Sequence, residues 1–175
     1  MPKITTLTAL FAAVFLLTAY SEPAVTNNDP KITAEPVVSQ QQSEPLLTVY
    51  KTSSCGCCKK WISHIEQNGI TAIAKDYDDL SFIKNRYGIQ PNHISCHTAV
   101  SENGYVFEGH IPAKYILMFL AEPVANAIGL TVPAMPLGSP GMEVGDRFMP
   151  YEILVFLKDG TSKVYAKVDG YDMQF

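Results

Sequence analysis

Three of the four cysteines in this chain fall within four residues, in Ser53-Ser54-Cys55-Gly56-Cys57-Cys58-Lys59-Lys60-Trp61. Leu46-Leu47-Thr48-Val49-Tyr50 before them is apolar and rich in β-formers, and Trp61, Ile62 and Ile65 after them recur at helical spacing. The thiols are therefore predicted on a strand-to-helix turn. Free amide groups and the positive end of the helix dipole favour an anion at that place, which lowers the titration of a cysteine and supplies thiolate. Thiolate is both a nucleophile and a ligand for soft metals. Lys59 and Lys60 add positive charge nearby or are simply solvated.

Cys55 and Cys58 have the C-x-x-C spacing of thiol oxidoreductases, with Cys55 as nucleophile and Cys58 as resolving thiol. Cys57 disturbs that reading, because a third sulfur competes for the same disulfide. A soft metal ion gains from every added thiolate. Two structural disulfides fit poorly, since adjacent Cys57 and Cys58 cannot easily pair and Cys96 is the one distant partner. A structural zinc site commonly uses two separated C-x-x-C knuckles, and the second is missing. On the helix, Cys58 lines up with Ile62 and Ile65 toward the core, and Cys55, ahead of the helix, should be the most exposed.

The fourth sulfur belongs to Cys96-His97, at the start of a strand expected over Ile94–Val100. Alternation along that strand lets only one of the pair face the site, which favours Cys96 as ligand. His97 is a further donor or a hydrogen-bonding neighbour. Met135-Pro136-Leu137-Gly138-Ser139-Pro140-Gly141-Met142-Glu143 is too rich in glycine and proline for regular structure, and its thioethers suit Cu(I). The alternative is a loop whose methionines, Met149 included, only cover apolar surface. Among His64, His93 and His110, the last is favoured because it opens a helix in Gly109-His110-Ile111-Pro112.

The elements that must position these residues alternate. Strand 46–51, a helix over about 57–68 closed by Gly69, strand 70–76 and a short helix from Leu80 to Tyr87 closed by Gly88 form a βαβα half. Ile94–Val100, a turn at Asn103-Gly104, Tyr105–Gly109 and a helix over Pro112–Ala121 form a ββα half. A loop at 131–150 and a hairpin of Ile153–Leu157 and Lys163–Val168, turning at Asp159-Gly160, extend it. The fold class expected is α/β: a thioredoxin-like mixed sheet with helices on both faces, plus a C-terminal loop and β-hairpin extension.

Ahead of this domain, taken as 46–175, stand two segments of different composition. Residues 1–21 have Lys3 followed by an apolar run over 4–19, the layout of a signal peptide cleaved after Ser21. The run is short for an uncleaved span, which needs about 20 residues, so no stable membrane insertion is expected once it is removed. Tyr20 stands where a lipidated cysteine would be needed. Residues 22–45 hold four prolines, three consecutive glutamines and no aromatic residue, and read as a disordered linker. The formal charge is −4, and losing Lys3 with the leader makes it −5. An acidic chain without basic runs is a poor nucleic-acid binder.

Four motifs in order, Cys55-Gly56-Cys57-Cys58, Ser95-Cys96-His97-Thr98, Glu108-Gly109-His110-Ile111-Pro112-Ala113 and the Met135–Glu143 loop, resemble those of the CopG family of bacterial copper-resistance proteins. The resemblance spans about residues 46–170. It implies a periplasmic, thioredoxin-like protein made alongside copper-export systems, whose components become its expected partners. It also implies several copper ions bridged by Cys55, Cys57, Cys58 and Cys96, with Met142 and His97 as nearby donors, and a role in interconverting Cu(I) and Cu(II).

Overall fold

In the computed structural model, which describes residues 44–175, the first strand leads straight to the cysteine turn. The leader expected at 1–21 and nearly all of the expected linker lie outside the described residues. Strand β1 (Leu46–Lys51) buries Leu47, Val49 and Lys51 on one face, the period-2 pattern of a strand against a core. Helix α1 (Gly56–Gln67) follows after one turn and buries Cys58, Trp61 and Ile65, one stripe of the helix. It ends where Gly69 adopts φ +79°. There the Ile70 and Gly69 amides donate to the carbonyls of Ile65 and Glu66 at 3.1 and 3.2 Å, which satisfies the last turn. The chain then returns as β2 (Thr71–Asp76), parallel to β1.

Helix α2 (Ser81–Arg86) is closed the same way by Gly88, with the Ile89 amide on the Lys84 carbonyl. A 3₁₀ turn at Pro91–His93 precedes β3 (Thr98–Ser101), which pairs antiparallel with β1 and, across a turn at Asn103-Gly104, with β4 (Val106–Glu108). Helix α3 (Ala113–Ala121) follows with Pro112 at its N-cap. The sheet then continues through β5 (Ala127–Thr131), β6 (Tyr151–Leu157) and β7 (Ser162–Val168). Its order is β2-β1-β3-β4-β5-β6-β7, with parallel pairs at β1–β2 and β4–β5 and antiparallel pairs elsewhere. The fold is α/β, with one open, mixed sheet of seven strands and three α-helices among the described residues.

Two expectations are corrected. The strand read over Ile94–Val100 begins only at Thr98, so Cys96 and His97 belong to an irregular segment and sheet alternation does not govern them. Strand β5 was not expected at all. Its Gly129 lies so close to Val106 of β4 that a β-carbon would overlap that residue's backbone, so the absence of a side chain is what permits the pairing. Among the described residues, no helix is long and apolar enough to cross a membrane.

Candidate metal centre

The four cysteine sulfurs, from two distant parts of the sequence, lie within 4.8 Å of one another. Cys55 is the N-cap of α1, Cys57 and Cys58 lie in its first turn, and Cys96 reaches them from the segment before β3. Cys58 is fully buried and the other three are half-buried. Lys59 and Lys60 are exposed, so the solvated reading holds for them.

Cys55 and Cys58 are joined by a disulfide, and Cys57 and Cys96 are free. Cys57 Sγ lies 3.5 Å from Cys55 Sγ and 4.0 Å from Cys96 Sγ, and Cys96 Sγ lies 3.5 Å from Cys58 Sγ. Burial pushes the Cys96 thiol up to about 12, with Cys57 beside it adding to the rise. Without a metal it keeps its proton, so any cation bound there must displace that proton.

Two imidazoles adjoin the sulfurs. His110 is fully buried, with Nε2 2.9 Å from Cys96 Sγ and Nδ1 2.7 Å from the Pro140 carbonyl. The carbonyl accepts the Nδ1 proton, which leaves the Nε2 lone pair aimed at the sulfur. His97, also fully buried, has Nδ1 3.4 Å from Cys96 Sγ, while its Nε2 finds no partner. Its ring packs against Trp61 at a tilt of 42°, with centroids 4.2 Å apart, and meets His110 edge-on at 5.0 Å. Cys96, His97 and His110 form a second cluster of possible ligands sharing Cys96 with the first. The expectation that only one of Cys96 and His97 faces the site therefore fails, because neither is yet in the strand. His110 stood out in the sequence only through its place before α3. His64 instead accepts the Ala113 amide at 3.0 Å, and His93 faces Ser162 at 3.2 Å.

The Met135–Glu143 loop folds over the first turn of α1. Ser139 and Met142 close a tight turn, with the Met142 amide 2.7 Å from the Ser139 carbonyl. Between them, Gly141 (φ +89°) sits so close that an added β-carbon would lie 2.6 Å from the Cys57 carbonyl oxygen and 2.9 Å from the Trp61 nitrogen. Met142 is thus carried next to the cysteine turn and is half-buried, whereas Met135 and Met149 are exposed. The loop is itself pinned by buried Gln174, which donates to the Gly138 carbonyl at 3.0 Å and accepts from the Tyr151 hydroxyl at 2.7 Å.

Burial lowers the proton affinity of His97, well below its ordinary 6.5, and of His110, where the Pro140 carbonyl and Glu143 act the other way. An unfolded chain takes up protons at these histidines as pH falls through 6.5, and the folded chain does not. Stability of the metal-free protein should therefore be complete above that pH and fall below it, by up to about 1.4 kcal/mol per pH unit for each of the two. Glu108, raised by burial, acts in the opposite sense toward the carboxylate range. Burial lowers His64 and His93 in the same sense, so denaturant midpoints between pH 6.5 and 5.5 should still fall in His97→Gln, with a slope smaller by at most about 1.4 kcal/mol per pH unit.

The centre has relatives of known structure. Residues 93–142, which hold Cys96, His97, His110 and the methionine loop, match a family described as a protein of unknown function, DUF411. No curated protein matches the chain. Among solved structures, one described as copper resistance protein CopG, form 2, shares 40% identity over 71% of this chain and 98% of its own, with a TM-score of 0.67. Another, described as form 1, shares 41% identity over 73% of this chain and all of its own, also at 0.67. Likeness at that level over the whole length of the solved proteins shows the family, and the chain belongs to the CopG family of copper resistance proteins.

Proposed function

We propose that the chain binds several Cu(I) ions through Cys55, Cys57, Cys58 and Cys96, in the periplasm, as part of copper resistance. The observation that carries this reading is the approach of the four sulfurs to within 4.8 Å of one another. Thiolate is the softest donor a protein offers and Cu(I) one of the softest biological cations. One Cu(I) would leave most of the thiolate charge uncompensated in a half-buried site. Several ions sharing bridging sulfurs neutralise it better. His97, whose Nε2 has no partner, His110 and the thioether of Met142 are the neighbouring donors. Imidazole also suits Cu(II), so a mixed sulfur and nitrogen set is compatible with interconversion of the two oxidation states. Copper is the cargo or substrate here, passed to export components.

All four sulfurs act as ligands only when the Cys55–Cys58 bond is reduced. Anaerobic titration of the reduced chain with Cu(I), in competition with a chromophoric chelator, is expected to give more than one tightly held ion. Cys57→Ser and Cys96→Ser should each weaken binding at least tenfold and lower the stoichiometry. A single weak ion, indifferent to Cys57, would reject the reading. The Cys55–Cys58 disulfide favours a second one, thiol–disulfide exchange with Cys55 as nucleophile and Cys58 as resolving thiol. That activity would survive Cys57→Ser in an insulin-reduction assay.

A further inference from the structure

The sulfur cluster divides into two pairs. Cys55 and Cys58 are bonded, and the two left over, Cys57 and Cys96, face each other at 4.0 Å. They are free thiols on different elements, the first turn of α1 and the segment before β3. Each also touches one end of the existing bond, Cys57 at Cys55 and Cys96 at Cys58, both at 3.5 Å. With one disulfide made, the chain still holds a complete dithiol in the same site.

We propose that the four cysteines are a four-electron store for reducing Cu(II), discharged in two disulfide-forming steps, Cys55–Cys58 and then Cys57–Cys96. The proposal rests on the reading of the chain as a copper-binding protein and supplies what that reading lacks, a source of electrons inside the molecule. In the first step the S–H bonds of Cys55 and Cys58 break, their S–S bond forms, two protons go to solvent and two Cu(II) each take one electron to become Cu(I). The second step repeats this with Cys57 and Cys96. A sulfur in a disulfide has lost its thiolate charge and is a poor ligand, so each step removes two donors as it produces two Cu(I). Reduction and release are thereby coupled. Resetting the store takes two equivalents of a dithiol.

The order follows from position. Cys55 and Cys58 are already at bonding distance across the first helical turn. Cys57 and Cys96 must close a gap between two elements, which is the smaller rearrangement available to them because adjacent Cys57 and Cys58 cannot easily pair. The Cys96 sulfur is also hemmed in by Cys57, Cys58 and His110.

The fully reduced chain, mixed anaerobically with excess Cu(II) and a chromophoric Cu(I) chelator, should yield four Cu(I) per chain. Alkylation and peptide mass mapping should then show Cys55–Cys58 and Cys57–Cys96 within monomers, the first pair appearing before the second. Cys57→Ser and Cys96→Ser should each halve the yield to two while keeping Cys55–Cys58. A wild-type yield of two with Cys57 and Cys96 still open to alkylation overturns the proposal. So does a second pair found only between molecules, or a crossed pairing of Cys58 with Cys96. Direct Cu(I) titration of the reduced chain separates the two readings. If Cu(I) is held tightly but only two electrons are delivered, the store fails and copper binding stands. If no Cu(I) is held, copper binding fails whatever the electron count.

Discussion

Gly141→Ala should remove the methionine loop from the metal centre while leaving the sheet folded. At φ +89° an alanine pays for left-handed backbone, and its β-carbon would press on the Cys57 carbonyl and the Trp61 nitrogen, with His110 Nδ1 3.3 Å away. Backbone atoms of a helix cannot swing aside as a side-chain tip can, so the loop must lift. The strain and the overlap together cost roughly 2–5 kcal/mol if the loop stays in place. Lifting it carries Met142 off the cysteine turn and pulls the Pro140 carbonyl from His110 Nδ1. Chelator competition should then show Cu(I) affinity at least tenfold weaker, with a far-ultraviolet circular dichroism spectrum unchanged. Gly56→Ala is the control. It lies in the same helical turn with nothing within 4 Å of an added β-carbon, and there alanine is expected to be neutral or to stabilise by up to about 1 kcal/mol. Wild-type affinity in Gly141→Ala would mean that the loop is no part of the centre.

What could be read from the sequence was local. The cysteine turn between β1 and α1 was legible because alternation switches to helical spacing across Cys55–Cys58, and Gly69 and Gly88 mark both helix ends as expected. Three long-range pairings were not legible. Cys96-His97 looks like strand because Ile94 and Thr98–Val100 are β-formers, yet Glu108 and Ala134 hold the Ser95 backbone and hydroxyl and keep the segment irregular. Strand β5 contains a glycine whose merit is visible only with Val106 beside it. His110 enters the centre because the Pro140 carbonyl, thirty residues on, fixes its ring. Each is a pairing between residues far apart in sequence, which composition and period do not encode.

The largest single loss should come from Glu108→Leu. This carboxylate is fully buried, pairs with Lys84 of α2, accepts the Thr98 hydroxyl at 2.6 Å, and accepts the Ser95 amide at 2.8 Å. Removing it leaves the Lys84 ammonium buried without its counter-charge, a cost of about 3–5 kcal/mol. Chemical denaturation should show that loss, and adding Lys84→Met should recover most of it, because a buried ion pair exchanged for apolar groups is often neutral. Copper binding should not recover with it. The Ser95 amide immediately precedes Cys96, and in Lys84→Met/Glu108→Leu nothing accepts it, so the segment carrying Cys96 loses its anchor. In Lys84→Met/Glu108→Gln the glutamine oxygen still accepts that amide. The leucine double variant should therefore bind Cu(I) like Cys96→Ser and alkylate faster at Cys96 with the Cys55–Cys58 bond intact, while the glutamine double variant stays near wild type in both. Equal copper binding in the two double variants at equal stability would reduce Glu108 to a partner for Lys84. A difference between them would show that the buried carboxylate holds the fourth sulfur in reach of the other three.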